Sequence, residues 1–333
     1  MGFGLRDNRV SLDMNFSKKF PYDLRVPIIS APMFLVSNPD TVVESCLNGI
    51  IGAFPTSNTR SLEQLDSWLF LITSRIDCAK QKDNGFSTAP WAVNLVTHRS
   101  NTRLQEDLAL VEKYQPPIVI TALGSPKPVV ESVHGYGGIV IGDVTTLTLA
   151  RKAIDVGVDG LACVACGSGG HTGSLSPFGF ISAVREFFDG IIVLGGGIGD
   201  GHGVAGAIAA GADLVYMGTR FIPSQESSAE VAHKSMVVSS AIDDLLVSEK
   251  ITGAPVSWLK NSLPETLEDD HDIGAPHKIN HDSNAPPKKR WKEIFSAGQG
   301  LHHSKSIEPI SAIVDKLENE FFHAADRLKY GAG

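Results

Sequence analysis

A chain of 333 residues, 42% hydrophobic and 20% charged, has ordinary globular composition and enough apolar mass for a large core. Its net charge of −8, with no basic stripe interleaved with aromatics, argues against nucleic acid as a partner. No run approaches the ~20 apolar residues of a membrane span, and four cysteines are too few for a disulfide framework. The opening Met1-Gly2-Phe3-Gly4-Leu5-Arg6-Asp7 lacks the apolar run of a secretory signal, and the final Tyr330-Gly331-Ala332-Gly333 matches no lipidation signal, so the cytoplasm is the expected location.

Short apolar, β-branched runs recur along the chain. They begin at Val26-Pro27-Ile28-Ile29-Ser30, Ile50-Ile51-Gly52-Ala53-Phe54 and Trp91-Ala92-Val93-Asn94-Leu95, and continue at Ile118-Val119-Ile120-Thr121 and Gly138-Ile139-Val140-Ile141. Leu161-Ala162-Cys163-Val164, Ile191-Ile192-Val193-Leu194 and Leu214-Val215-Tyr216-Met217 complete eight. They are near-continuously apolar rather than alternating, as parallel strands buried on both faces should be.

The intervening segments read as helices. Asn38-Pro39-Asp40 opens one with a cap and a proline at the first position, and Asn48-Gly49 closes it. Ser61-Leu62-Glu63-Gln64 has the pattern of a capping box. Thr146 to Val156 carries apolar residues at helical spacing and stops at Gly157, and Gly203 to Ala210 stops at Gly211. Eight strand–helix alternations predict an α/β fold closed into a (β/α)8 TIM barrel, a size that ~250 residues routinely fill as one unit. An open doubly wound sheet is the alternative, but no Gly-x-Gly-x-x-Gly follows the first strand.

The expected organisation is a barrel core over residues 1–224 and a C-terminal helical extension over 225–333. Within the extension Ser227 to Ser248 and Ile307 to Leu328 read as helical, and Pro264 to Arg290 as a long polar loop packing on the barrel.

In such barrels the active site is built from the loops after the strands, at the C-terminal face. Ser30-Ala31-Pro32-Met33 offers small residues beside which a flat ring could lie. Asn94 offers an amide to a pyrimidine-like edge, or a cap. After the sixth strand, Gly167-Ser168-Gly169-Gly170-His171-Thr172-Gly173 frees the backbone to approach a ligand and places one imidazole there. A lone histidine is more often structural. His171, in a glycine-rich loop at a barrel strand's end, is nevertheless taken as the catalytic candidate, and His202 as the comparison expected to be bystander. Gly195-Gly196-Gly197-Ile198-Gly199-Asp200-Gly201 and Gly218-Thr219-Arg220 come after the seventh and eighth strands, where barrels often bind phosphate on backbone N–H groups. Cys163 and Cys166 are spaced like a redox or zinc pair; without a second pair they read as small apolar residues at a strand end, and no metal is expected.

These residues together resemble the nitronate monooxygenase (2-nitropropane dioxygenase-like) family over nearly the whole length. The resemblance is carried by Pro27-Ile28-Ile29-Ser30-Ala31-Pro32-Met33, Gly169-Gly170-His171-Thr172-Gly173, Gly195-Gly196-Gly197 with Asp200-Gly201, and Met217-Gly218-Thr219-Arg220-Phe221. Ser296-Ala297-Gly298-Gln299-Gly300 resembles the family's returning loop over the site. It implies FMN as cofactor: Ala31, Pro32, Met33 and Asn94 approach the isoalloxazine, Gly169 and Gly170 pass beside it, and Gly196, Gly197, Gly218 and Thr219 surround the phosphate. It also implies His171 as the catalytic histidine, acting as base toward neutral nitroalkanes, in a reaction that turns an alkyl nitronate and oxygen into a carbonyl compound and nitrite.

There is one departure. Some relatives carry a lysine at the end of the fifth strand, placed to stabilise negative charge on the reduced flavin; here the run is Ile141-Gly142-Asp143. An acid disfavours an anionic reduced ring by charge repulsion. Asp143 is therefore expected to bind the cofactor, through a ribityl hydroxyl, or to cap the helix beginning near Thr145-Thr146.

The alternative function is an NAD(P)H-dependent flavin reductase of an enone, quinone or enoyl thioester, for which Lys260, Lys288, Lys289 and Arg290 could meet a phosphate-bearing thioester or simply be solvated surface. A flavin-binding scaffold without activity is a third reading, opposed by the retained His171. The expected partners are a small-molecule substrate and oxygen, with NAD(P)H in the reductase reading and a homodimer left open.

Overall fold

The computed structural model describes residues 20–81, 88–263 and 294–330. The opening stretch, the Pro264 to Arg290 loop with Lys288, Lys289 and Arg290, and the last three residues lie outside the described residues.

Eight parallel strands close into a barrel: β1 Ile28–Ser30, β2 Ile51–Pro55, β3 Trp91–Val96, β4 Ile118–Ala122, β5 Ile139–Val144, β6 Gly160–Val164, β8 Ile191–Gly195 and β9 Leu214–Met217. Between β6 and β8 the short β7, Gly170–His171, lies outside the ring. The ring is shut by β1 pairing with both β2 and β9, Ile29 lying opposite Ile51 and Tyr216. The near-continuous apolar runs reflect two buried faces. One face fills the barrel interior with Ile29, Ile51, Ile118, Ile120, Ile141 and Val193; the other packs Val93, Val119, Val140, Leu161 and Ile192 against the helices.

The outer helices are α1 Pro39–Leu47, α2 Leu62–Gln81, α3 Leu104–Tyr114, α4 Lys127–Gly135, α5 Leu147–Asp155, α6 Pro177–Arg185 and α7 Gly201–Ala209. Their starts are the capping residues the sequence displays. Asn38 accepts from the Thr41 N–H at 2.8 Å, Ser61 from Gln64 and Thr146 from Leu149. Thr146, not Asp143, caps α5, so the capping alternative for Asp143 does not hold. Asp200 caps α7, which starts two residues earlier than Gly203.

Beyond β9 the chain adds α8 Val231–Ser239, a hairpin of β10 Leu245–Ser248 and β11 Val256–Leu259, and α9 Ile310–Tyr330. The helix expected over Ser227 to Ser248 therefore ends at Ser239. Leu245, Leu246 and Val247 lie opposite Leu259, Trp258 and Ser257, and this antiparallel pairing overrides their helical propensity. Helix α9 packs beside α7 and α1 in the outer ring. A Cβ on Gly201 would fall 2.2 Å from the Leu317 carbonyl, which shows how closely α7 and α9 approach. No helix among the described residues is long and apolar enough to cross a membrane.

Candidate active site

The C-terminal ends of the strands open into a cavity of about 1030 Å³, at the upper end of the usual range for small-molecule sites. All twelve residues singled out from the sequence, Ala31, Pro32, Met33, Asn94, Asp143, Gly169, Gly170, His171, Gly196, Gly197, Gly218 and Thr219, stand on its wall. His202 does not: it is exposed beside the Asp200 cap, 3.5 Å from that carboxylate. Lys260 hydrogen-bonds the Asp243 carbonyl at 2.5 Å, outside the cavity wall. Cys163 is buried in β6 as a free thiol.

The floor is the top layer of the barrel interior. Below it the interior is apolar; at this level it changes to Asn94 on β3, Asp143 on β5 and Tyr216 on β9. Burying an apolar side chain at such a position would stabilise by about 1.5–3 kcal/mol, so three polar groups here forgo stability and point to a ligand above them. Burial pushes the Asp143 carboxyl up to about 7, against the opposing effect of the nearby Tyr216 hydroxyl, and burial with that carboxyl raises Tyr216 well above the ordinary phenol range.

One wall is a set of three glycine-rich segments pressed together. Gly167, Gly170, Gly196 and Gly197 adopt positive φ, at +83°, +68°, +142° and +70°. The Gly167 carbonyl accepts from the Gly197 N–H at 3.1 Å and from Gln299 at 2.9 Å. The Thr219 hydroxyl accepts from the Gly298 N–H at 2.8 Å and keeps its own proton to donate. The Ser296 to Gly300 segment thus returns over the site. A Cβ on Gly298 would meet the Gly167 carbonyl and the Gly169 nitrogen, each at 2.6 Å. Gly298→Ala is therefore expected to force these segments apart and to destabilise by about 1–3 kcal/mol. A urea melt against Gly206→Ala, where a Cβ meets nothing within 4 Å, is the check: equal midpoints for the two variants would show the wall to be loose.

His171 is not on a free loop. Strand β7 runs antiparallel to β11, with His171 opposite Val256 and the Thr172 N–H donating to the Pro255 carbonyl at 3.1 Å. The hairpin thereby fixes the imidazole at the cavity wall. Burial lowers its pKa below the ordinary 6.5, so it is neutral near pH 7.

Sequence reasoning passed over several groups. His233 on α8 lines the cavity, stacks on Phe295 with 4.7 Å between ring centroids, and donates from Nε2 to the Ser296 carbonyl at 3.0 Å. It anchors the returning segment, and nothing local in the sequence marks it. Asn58 holds the Ala31–Met33 loop by donating to the Met33 and Ser37 carbonyls at 3.0 and 2.7 Å and accepting from the Leu35 N–H. Arg60 stands exposed on the wall as its only arginine or lysine among the described residues. Arg220 turns away to pair with Glu308 at 3.0 Å.

Comparison with known proteins gives this geometry a context. Residues 69–320 match the nitronate monooxygenase family model. The (3aS,4S,5R,7aS)-5-hydroxy-7a-methyl-1-oxo-octahydro-1H-indene-4-carboxyl-CoA dehydrogenase of Rhodococcus jostii is 28% identical over 73% of this chain, which spans 65% of that relative's length. A nitronate monooxygenase of Neurospora crassa is 27% identical over 93% of this chain and 92% of its own. A nitroalkane oxidase from Streptomyces ansochromogenes, 20% identical, superposes with a TM-score of 0.75 over 93% of this chain and 99% of its own, and shares the barrel fold.

Proposed function

The chain belongs to the nitronate monooxygenase family of flavin-dependent oxidoreductases, and from that premise we propose that it binds FMN in the barrel-top cavity and oxidises alkyl nitronates to a carbonyl compound and nitrite. The residues present suit that cofactor. The glycine segments form a cradle that side chains would fill, and the floor carries buried polar atoms, Asp143 Oδ1 and the Tyr216 hydroxyl, without hydrogen-bond partners. Gly196, Gly218 and Thr219 would hold the phosphate, with Gly197 closing the loop rather than donating, since its N–H is already bonded to Gly167. Ala31, Pro32 and Met33 would lie along the ring, with Asn94 and Asp143 beneath and Gly169 and Gly170 alongside. FMN, when bound, accepts electrons from the substrate and passes them to oxygen.

The carrying observation is His171: a neutral imidazole, fixed by strand pairing, on the wall of the cavity. Neutral near pH 7, it takes the proton from the carbon that bears a nitro group and holds it while the nitronate reacts. The glycine wall lets the substrate carbon approach closely, and the returning Ser296 to Gly300 segment, anchored by His233, restricts water.

An acyl-thioester reading is the second, favoured by the coenzyme A substrate in the Rhodococcus relative's name and by the exposed Arg60, a cation that could meet a phosphate. The same base would then act at a carbon beside a thioester carbonyl, or NAD(P)H would reduce the flavin for an enoyl thioester. An anaerobic titration of the holoenzyme separates the readings. Bleaching of the visible flavin band by an alkyl nitronate, with NADH and NADPH inert, is the expected result. Rapid bleaching by a nicotinamide, with nitronate inert, would overturn it in favour of the reductase.

A further inference from the structure

The barrel interior below the cavity is apolar, and Asp143 breaks that rule at the level where the cavity begins. Its register partner on β6, Ala162, carries no charge. Tyr216, three strands further round the ring on β9, faces it across the barrel mouth rather than along the sheet, and its hydroxyl favours the ionised carboxylate although no hydrogen bond is closed between them. Both Asp143 Oδ1 and the Tyr216 hydroxyl are shut off from solvent without a hydrogen-bond partner. A carboxyl so placed has two states within reach, ionised or protonated, and no fixed cation among the described residues selects between them. The other ionisable groups of the cavity wall are Arg60, His171, Glu230 and His233.

A negative charge arriving above this floor would repel a carboxylate and raise its proton affinity. Linkage is reciprocal, so a carboxyl that gains a proton as charge arrives makes the arrival easier. We propose that Asp143 is a redox-linked proton acceptor: when two electrons enter the bound flavin, the Asp143 carboxylate takes one proton from solvent, with Tyr216 as its positioning residue. The inference rests on the flavin reading of the same cavity.

Two electrons and one proton convert the flavin to its reduced form with one negative charge. A second proton from solvent converts the Asp143 carboxylate to the acid, so two electrons and two protons enter and the net charge of the site is unchanged. The Tyr216 hydroxyl favours the ionised carboxylate while the flavin is oxidised, which keeps Asp143 ready to receive. Burial already lifts the Asp143 pKa to about 7, so the proton is taken up at and above neutral pH, where the oxidised protein carries the carboxylate.

The test counts protons, not turnovers. Flavin-loaded protein is reduced anaerobically with dithionite in weakly buffered solution at about pH 8 and followed with a pH electrode, and the protons that dithionite releases on its own oxidation are subtracted from a reference in which the same number of electrons goes to ferricyanide, which binds no proton on reduction. The expected uptake is about two protons per flavin in the wild type and about one in Asp143→Asn. Tyr216→Phe should move the two-proton window to higher pH, because loss of the hydroxyl leaves Asp143 more readily protonated before reduction. Should Asp143→Asn fail to fold, the wild-type and Tyr216→Phe curves decide. Equal counts in wild type and Asp143→Asn, or a wild-type count that stays at about one across the pH range, overturn the role of Asp143, and coinciding curves for wild type and Tyr216→Phe overturn that of Tyr216. Failure of the correctly folded wild type to take up FMN overturns the cofactor reading itself, and is seen before any proton is counted.

Discussion

His171→Ala is expected to fold, to retain FMN and to lose about 10²–10⁴-fold in turnover of neutral nitroalkanes, the usual contribution of a positioned base. The preformed nitronate should be spared most of that loss, because its proton is already gone. The pH profile supplies a second reading. Burial holds the imidazole pKa below 6.5, so the wild-type rate on a neutral nitroalkane falls as pH drops through that lowered pKa and is level above 6.5. In the variant this acid limb should vanish. Steady-state rates on both substrate forms across pH, with flavin content measured in parallel, decide the matter. An equal loss on nitroalkane and nitronate would reduce His171 to a residue that shapes the wall, and unchanged kinetics would remove it from the mechanism.

The barrel was legible because its strands obey a local rule. Each needs apolar side chains on both faces, so Ile118-Val119-Ile120 or Ile191-Ile192-Val193 announces itself without knowledge of its partners. Caps such as Asn38 and Thr146 are equally local, since the donor lies three residues on. The glycine wall was legible for another reason: positive φ and close approach exclude other residues, so Gly167 to Gly170 and Gly195 to Gly197 stand out. What escaped depends on contacts distant in sequence. His233 meets Ser296 across 63 positions, and Asn58 meets Met33 across 25. The β10 strand is a strand because β11 lies beside it, and only that hairpin turns His171 from a loop residue into a fixed one. Local periodicity carries none of this.

The largest expected effect on stability lies outside the cavity wall, at Arg103. Its guanidinium, only 3% exposed, pairs with the wholly buried Asp107 at 2.7 Å and donates to the Thr59 and Thr56 carbonyls, each at 2.9 Å. Those threonines flank Asn58, which in turn holds the Ala31–Met33 loop against the cavity. Arg103→Ala leaves the Asp107 carboxylate buried and unpaired and should destabilise by about 3–5 kcal/mol, read from the shift of the urea midpoint. Burial already raises the Asp107 pKa against the lowering effect of Arg103, so loss of the arginine should raise it further and make Asp107 bind a proton in the fold. Arg103→Met with Asp107→Leu removes both charges and should recover much of the loss. It should not recover all of it, because the Thr59 carbonyl still lacks its donor, at about 1–3 kcal/mol for a buried orphan, whereas the Thr56 carbonyl keeps the Thr59 N–H and hydroxyl. The double variant also separates stability from positioning. If the arginine holds the loop through Asn58, FMN should still bind more weakly to a double variant whose midpoint is largely restored. Full recovery of both would mean that Arg103 serves only to neutralise Asp107.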